Sequence, residues 1–124
     1  MIVTIHGTAM ELTPAIREYV EEKIRSLEKF FDNIIKAEID IGMNSHHHNK
    51  GKIFYAEVTL DIPGRMIRVV KEEEDLYKAI EKVKDHLKIE LESAKEKMRR
   101  KDKDEIRSQK EYNEDALDEE SEDE

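Results

Sequence analysis

Between Asp75 and Arg100 the apolar residues Leu76, Ile80, Val83, Leu87, Leu91, Ala94 and Met98 recur at spacings of three and four. That spacing sets them on one face of a single α-helix of about seven turns, long enough to cross a small sheet. A helix with one apolar stripe needs a surface against which to bury it, so this stretch dictates what the remaining residues must supply.

They supply strands and one more helix. Ile2 to His6 is a β-branched run closed by Gly7, read as a first strand. Glu11-Leu12-Thr13-Pro14 opens a helix with Thr13 as N-cap and Pro14 in the first helical position. Its apolar face is Ile16, Val20, Ile24, Leu27 and Phe31, flanked by Tyr19 and Phe30, and Asp32-Asn33 ends it. Ala37, Ile39, Ile41 and Met43 alternate with Lys36, Glu38 and Asp40, a second strand with one buried face. Phe54, Ala56, Val58, Leu60 and Ile62 alternate with Tyr55, Glu57, Thr59 and Asp61 in a third. After the turn dipeptide Pro63-Gly64, Met66 to Lys71 returns as a fourth, with Ile67 and Val69 inward and Arg68 outward. Glu72-Glu73-Glu74 is read as negative charge at the start of the long helix, where the helix dipole favours it.

The order β-α-β-β-β-α predicts an α+β fold, a two-layer sandwich of a four-stranded sheet with both helices on one face. The first helix is a right-handed crossover between parallel strands, and the short later connections make antiparallel neighbours.

A chain of 124 residues suits one domain plus a tail, and with 43% of them charged the core must be compact. Residues 1–103 carry 20 basic and 20 acidic side chains, whereas residues 104–124 carry 2 and 11. The whole net charge of −9 therefore sits in the tail, and it does not exclude a nucleic-acid partner for the neutral domain. Past Lys101 the apolar period stops, and 104–124 is expected to be an acidic disordered tail, either a solubilising segment or one that folds back on a basic flank. No apolar run approaches the ~18–20 residues of a membrane span, and the first residues lack the basic region of a secretory signal. Absence of cysteine removes disulfides, thiolate ligands and a thiol nucleophile, and fits a reducing cytoplasm.

Charges on the long helix are sorted. Lys84, Lys88, Lys95 and Arg99 fall on one flank of the apolar stripe; Lys82, Lys97 and Arg100 fall on the other, with Lys78 further round. Glu81, Asp85, Glu92 and Glu96 are placed mostly on the back between the flanks. Lys78/Lys82, Lys84/Lys88 and Lys95/Arg99 are like charges at i, i+4, each destabilising by roughly 0.2–0.5 kcal/mol. Two readings stand: a solvated, heat-tolerant Lys/Glu helix, or a phosphate-contacting flank. Lys23 projects from the apolar face of the first helix, either snorkelling past its neighbours or held for a partner.

Chemistry finds little support. There is no phosphate-cradling glycine loop, no His-Glu-x-x-His and no nucleophile elbow, so an enzyme is not expected. His46-His47-His48 is the one local metal-like cluster, but consecutive residues rarely converge on one ion. A polar loop is the expectation there, with no metal and no cofactor.

Two segments together resemble a known family. Met10-Glu11-Leu12-Thr13-Pro14-Ala15-Ile16-Arg17-Glu18-Tyr19-Val20, continuing through Lys23-Ile24 and Leu27-Glu28-Lys29-Phe30-Phe31-Asp32, resembles the first helix of the ribosome hibernation promoting factors. These are also called ribosome-associated inhibitor, protein Y or sigma-54 modulation protein. Glu74-Asp75-Leu76-Tyr77-Lys78-Ala79-Ile80-Glu81, with Leu87 beyond it, resembles the start of that family's second helix. The resemblance covers roughly residues 1–100 and implies a double-stranded-RNA-binding-domain-like fold. It further implies binding to the small ribosomal subunit at the decoding channel, where mRNA and tRNA are blocked and idle ribosomes preserved, with no membrane or small-molecule partner and a monomeric form. Lys23 and Lys29 match family lysines in the first helix and Lys95 one in the second. With Lys78, Lys82, Lys84, Lys88 and Arg99 they make the expected ribosomal-RNA-binding set. His86, Ile89 and Glu92 stand where the family carries cations, leaving Lys84, Lys88 and Arg99 to compensate. A short-type factor, a long-type factor cut at its acidic linker and a general double-stranded-RNA-binding module remain the alternatives.

Overall fold

The computed structural model describes residues 1–44, 51 and 53–117, with side chains through Ser108. Strand β1 (Ile2–Thr8) leads to helix α1 (Pro14–Arg25) and a 3₁₀ turn (Ser26–Lys29). Then come β2 (Lys36–Asn44), β3 (Ile53–Ile62), β4 (Arg65–Glu73) and helix α2 (Leu76–Leu117). The sheet runs β1-β2-β3-β4, with β1 parallel to β2 and the other neighbours antiparallel. Two compact units divide within α2: Met1–Glu92 holds the sheet, α1 and the first part of α2, and Ser93–Glu124 holds the rest.

Alternation along the strands decides the layering of the first unit. Ala37, Ile39, Ile41, Ala56, Val58, Leu60, Ile62, Ile67 and Val69 are buried, while Glu38, Thr59 and Arg68 between them turn outward. Val20 and Ile24 of α1, Leu27 of the 3₁₀ turn, and Leu76, Ile80, Val83, Leu87 and Leu91 of α2 are buried too. Only one face of the sheet is apolar, so both helices cover that face and leave the other open. On the open face Arg68 pairs with Glu57 across β3 and β4.

The helix starts are fixed locally. Thr13 Oγ1 accepts the Ile16 N–H at 3.2 Å with Pro14 in the first turn, as the sequence predicts. Asp75 caps α2, its carboxylate accepting the Tyr77 N–H at 2.9 Å. Glu72 and Glu73, predicted to charge the helix start, instead continue β4 opposite Tyr55 and Phe54. The single carboxylate at Asp75 already satisfies an N–H of the first turn, so the strand is free to run on.

Two helix ends also differ from expectation. Helix α1 is α-helical only to Arg25, because the Ser26 hydroxyl donates to the Lys23 carbonyl at 2.6 Å and the chain tightens into a 3₁₀ turn. The turn still carries Leu27 and Phe31 into the core. Helix α2 runs on to Leu117, beyond the 104 at which a tail without structure was expected. Apolar periodicity reports burial rather than helicity. Residues 101–117 contain no Gly or Pro, and the exposed Lys101 and Glu105 stand at i, i+4, which favours helix without an apolar stripe. The three histidines of the 44–51 loop lie outside the described residues.

One glycine is fixed by packing. Gly42 pairs directly with Tyr55, whose ring crosses it so that the hydroxyl reaches Asp40 at 3.1 Å. Thr8 donates to the other oxygen of Asp40 at 2.8 Å. A Cβ at Gly42 would stand 2.5 Å from the Thr8 carbonyl oxygen and 2.7 Å from the Tyr55 ring. Gly42→Ala is therefore expected to destabilise by about 1–3 kcal/mol in urea unfolding, by displacing the ring or parting β1 from β2. An unchanged midpoint would show that the sheet has slack there.

Candidate nucleic-acid interface

Where α1 and the first part of α2 run side by side, their exposed edges form a seam. From α2 it takes Tyr77, Glu81, Lys84 and Lys88, residues at i, i+4, i+7 and i+11 and hence on one side of the helix. From α1 and the turn after it come Tyr19, Lys23 and Phe30. Tyr19 and Tyr77 meet edge to face, ring centres 4.7 Å apart at 87°. Lys88 Nζ lies 4.7 Å from the centre of the Phe30 ring, a cation–π contact.

Glu81 is the polar centre of the seam. Its Oε2 accepts the Tyr19 hydroxyl at 2.7 Å and Lys23 Nζ at 2.8 Å, and its Oε1 lies 3.7 Å from Lys84 Nζ. Lys23 also stands 5.4 Å over the Tyr19 ring. The hydrogen bond from Lys23, then that from Tyr19, holds the Glu81 carboxyl below its ordinary pKa. The same bond to Glu81 raises Lys23. Burial first, then the bond to Glu81, pushes Tyr19 up to about 12.

The sequence-predicted cations fall into four groups. Lys23, Lys84 and Lys88 are brought together along the seam. Lys82 is not: it pairs with Glu73 of β4, on the other flank of α2. Among the described residues Lys29, Lys78 and Lys95 are exposed and carry no ion pair. Arg99, in the second unit, pairs with Glu96 at 3.3 Å, and Arg100 shares that carboxylate at 3.5 Å. Lys23 is thus neither a free snorkelling chain nor an unengaged cation; the opposite helix holds its ammonium.

The departures from the family pattern sort in a similar way. His86 faces Glu90 at 3.5 Å, and Glu90 lies 3.8 Å from Arg65 at the start of β4. This is the flank of Lys82, not the seam. Ile89 is 62% exposed.

Sequence reasoning missed Glu81, which it assigned to the acidic back of the helix. The signal was the spacing Tyr77-Glu81-Lys84-Lys88, which sets the carboxylate on the same side as the lysines. A groove whose cations come from two rigid helices, flanked by aromatic rings, suits a polyanion of fixed shape. Such contacts position a phosphate backbone and read no base.

Comparison with known proteins bears on this geometry. Residues 3–99 match the family model described as Sigma 54 modulation protein / S30EA ribosomal protein. The ribosome hibernation promotion factor of Bacillus subtilis (strain 168) is 31% identical over 101 residues, 82% of this chain and 52% of that protein. The chain spans about half the length of the curated relatives it matches. The crystal structure of the Thermus thermophilus Protein Y N-terminal domain superposes with a TM-score of 0.66 at 31% identity, over 75% of this chain and 98% of that one. A ribosomal subunit interface protein from Coxiella burnetii gives 0.68 at 23% identity, over 77% and 98%, and so shares the fold.

The raised Tyr19 has a measurable consequence. Because its folded pKa lies above the unfolded value of roughly 10, the stability it contributes is fully present below pH ~10 and lost as pH rises through about 12. Spectroscopic titration of tyrosinate should show a late-ionising tyrosine that disappears in Tyr19→Phe. A variant with the same late phase would place it elsewhere. Glu81 shifts the other way, so its contribution is present above the ordinary glutamate range and lost on acidification through its lowered value. Glu81→Gln should flatten the acid limb of stability.

Proposed function

The chain belongs to the Sigma 54 modulation protein / S30EA ribosomal protein family, and from that premise we propose that it is a ribosome hibernation factor of the small ribosomal subunit. It seats the inter-helix seam on ribosomal RNA at the decoding channel. There its bulk excludes mRNA and tRNA, and idle ribosomes are silenced and preserved in the cytoplasm. The observation that carries this reading is the gathering of Lys23, Lys84 and Lys88 from two helices into one groove. Lys29, Lys78, Lys82, Lys95 and Arg99 are the further candidate cations for phosphate contact, Lys82 by leaving Glu73 and Arg99 by leaving Glu96.

The mechanism is occupancy. The core fixes the backbones of α1 and α2, so the lysines meet phosphates with little ordering of the main chain to be done on binding. Each phosphate neutralised releases counterions, and affinity falls linearly with salt on logarithmic axes. Selectivity for folded RNA comes from shape, because the contacts reach phosphate and sugar rather than base edges. No bond is made or broken, and no cofactor takes part. No described helix is long and apolar enough to cross a membrane.

Co-sedimentation with purified small subunits tests this. The wild-type chain should bind with an affinity that drops steeply with salt. Reversal of Lys84, Lys88 and Lys95 to glutamate should weaken binding by about tenfold or more at moderate ionic strength. Undiminished binding by the triple variant would show that another surface makes the contact. Equal wild-type affinity for a plain RNA duplex would favour a general duplex-binding module instead.

A further inference from the structure

We propose that Glu81 is a specificity-determining residue of the groove: it holds Lys23 and Lys84 out of the reach of loosely fitting polyanions and leaves Lys88 as the leading cation for them. The proposal rests on the groove being the RNA-binding surface.

A carboxylate is an unexpected group at the middle of a phosphate-binding groove, and the modest stability it contributes is not its only consequence. Its side chain is 37% exposed and those of its lysine partners 28% and 23%. Exposed ion pairs of this kind contribute little to folding. The helices are already held together by the burial of Val20, Ile24, Ile80, Val83 and Leu87.

The consequence for binding is larger. Lys23 and Lys84 come from different helices and converge on Glu81, and Lys84 also lies 3.5 Å from Asp85, so two carboxylates face the two ammonium groups in this part of the groove and cancel their charge. A phosphate entering there must displace Glu81 from Lys23 and Tyr19 and then face the released carboxylate. Lys88 has no such competitor, since its ammonium rests on the face of Phe30. The most favourable place for a phosphate is thereby shifted along the groove, away from the Lys23–Lys84 pair.

A flexible or loosely fitting polyanion settles wherever cation density is highest. A folded RNA of fixed shape sets its phosphates by the fit of the whole surface. Neutralising Glu81 therefore opens a new landing point for the first class and changes little for the second. This is selection against wrong partners by an internal repulsive group.

The test compares wild type, Glu81→Gln and Glu90→Gln on two ligands: a plain RNA duplex by fluorescence anisotropy, and small ribosomal subunits by co-sedimentation. Glu81→Gln should bind the duplex roughly fivefold or more tighter, with a log–log salt slope steeper by about one, as Lys23 is released to engage a phosphate while Lys84 keeps Asp85. Its affinity for small subunits should stay within about twofold of wild type, narrowing the ratio between the ligands. Glu90→Gln removes a carboxylate from the opposite flank and should leave the ratio unchanged.

Duplex affinity unmoved in Glu81→Gln, or an equal rise for both ligands, would overturn the proposal. An equal duplex gain in Glu90→Gln would reduce the effect to net charge and overturn it as well. Failure of wild type to bind small subunits would instead remove the premise, whatever Glu81→Gln does to the duplex.

Discussion

Three apolar surfaces have to be buried in the first unit: one side of α1, one side of α2 and one face of the sheet. With a single apolar sheet face available, both helices must lie on it, and lying on it they must lie against each other. The seam follows from that requirement. The residues flanking the two buried stripes then meet in pairs, and what they are decides what the molecule can hold. Tyr19 against Tyr77, Lys23 against Glu81 and Lys88 against Phe30 are flank residues of this kind.

A groove produced this way has functional properties that a loop-borne site lacks. Its walls are helices whose backbones cannot shift without opening the core, so its cations are set to a fixed spacing before any ligand arrives. Binding a shaped polyanion then needs little reorganisation. The open face of the sheet carries a mixed population of charges, with Arg68 against Glu57 and Asp40 engaged by Thr8 and Tyr55. A neutral domain is thus compatible with a locally cationic seam, because the distribution of charge rather than its sum governs the approach of a partner.

Much of this was legible in the residues. Strict alternation from Phe54 to Ile62, Thr13-Pro14 before α1 and the three-and-four spacing from Leu76 to Leu91 each point to one local structure, and the observed elements agree with them. What escaped notice depended on competition between local signals. Glu72-Glu73 reads equally as a helix start or the end of a strand, and Asp75 decided between them. The 3₁₀ turn depends on one hydroxyl of Ser26. The reach of α2 to Leu117 depends on helix propensity, which leaves no apolar pattern to follow. Lys84 and Lys88 were assigned to one flank and lie along the seam, but Glu81 was set aside because sorting by sign overrode sorting by spacing. Lys82 was grouped with the binding cations although its position four residues before His86 places it on the β4 side.

If the protein works by standing where message and tRNA must go, small subunits incubated with it at micromolar concentration and then offered mRNA and initiator tRNA should bind less of both. The loss should match the fraction of subunits occupied, and binding should recover when rising salt releases the protein. Full acceptance of both by subunits that still carry the protein would show that obstruction is not how it acts.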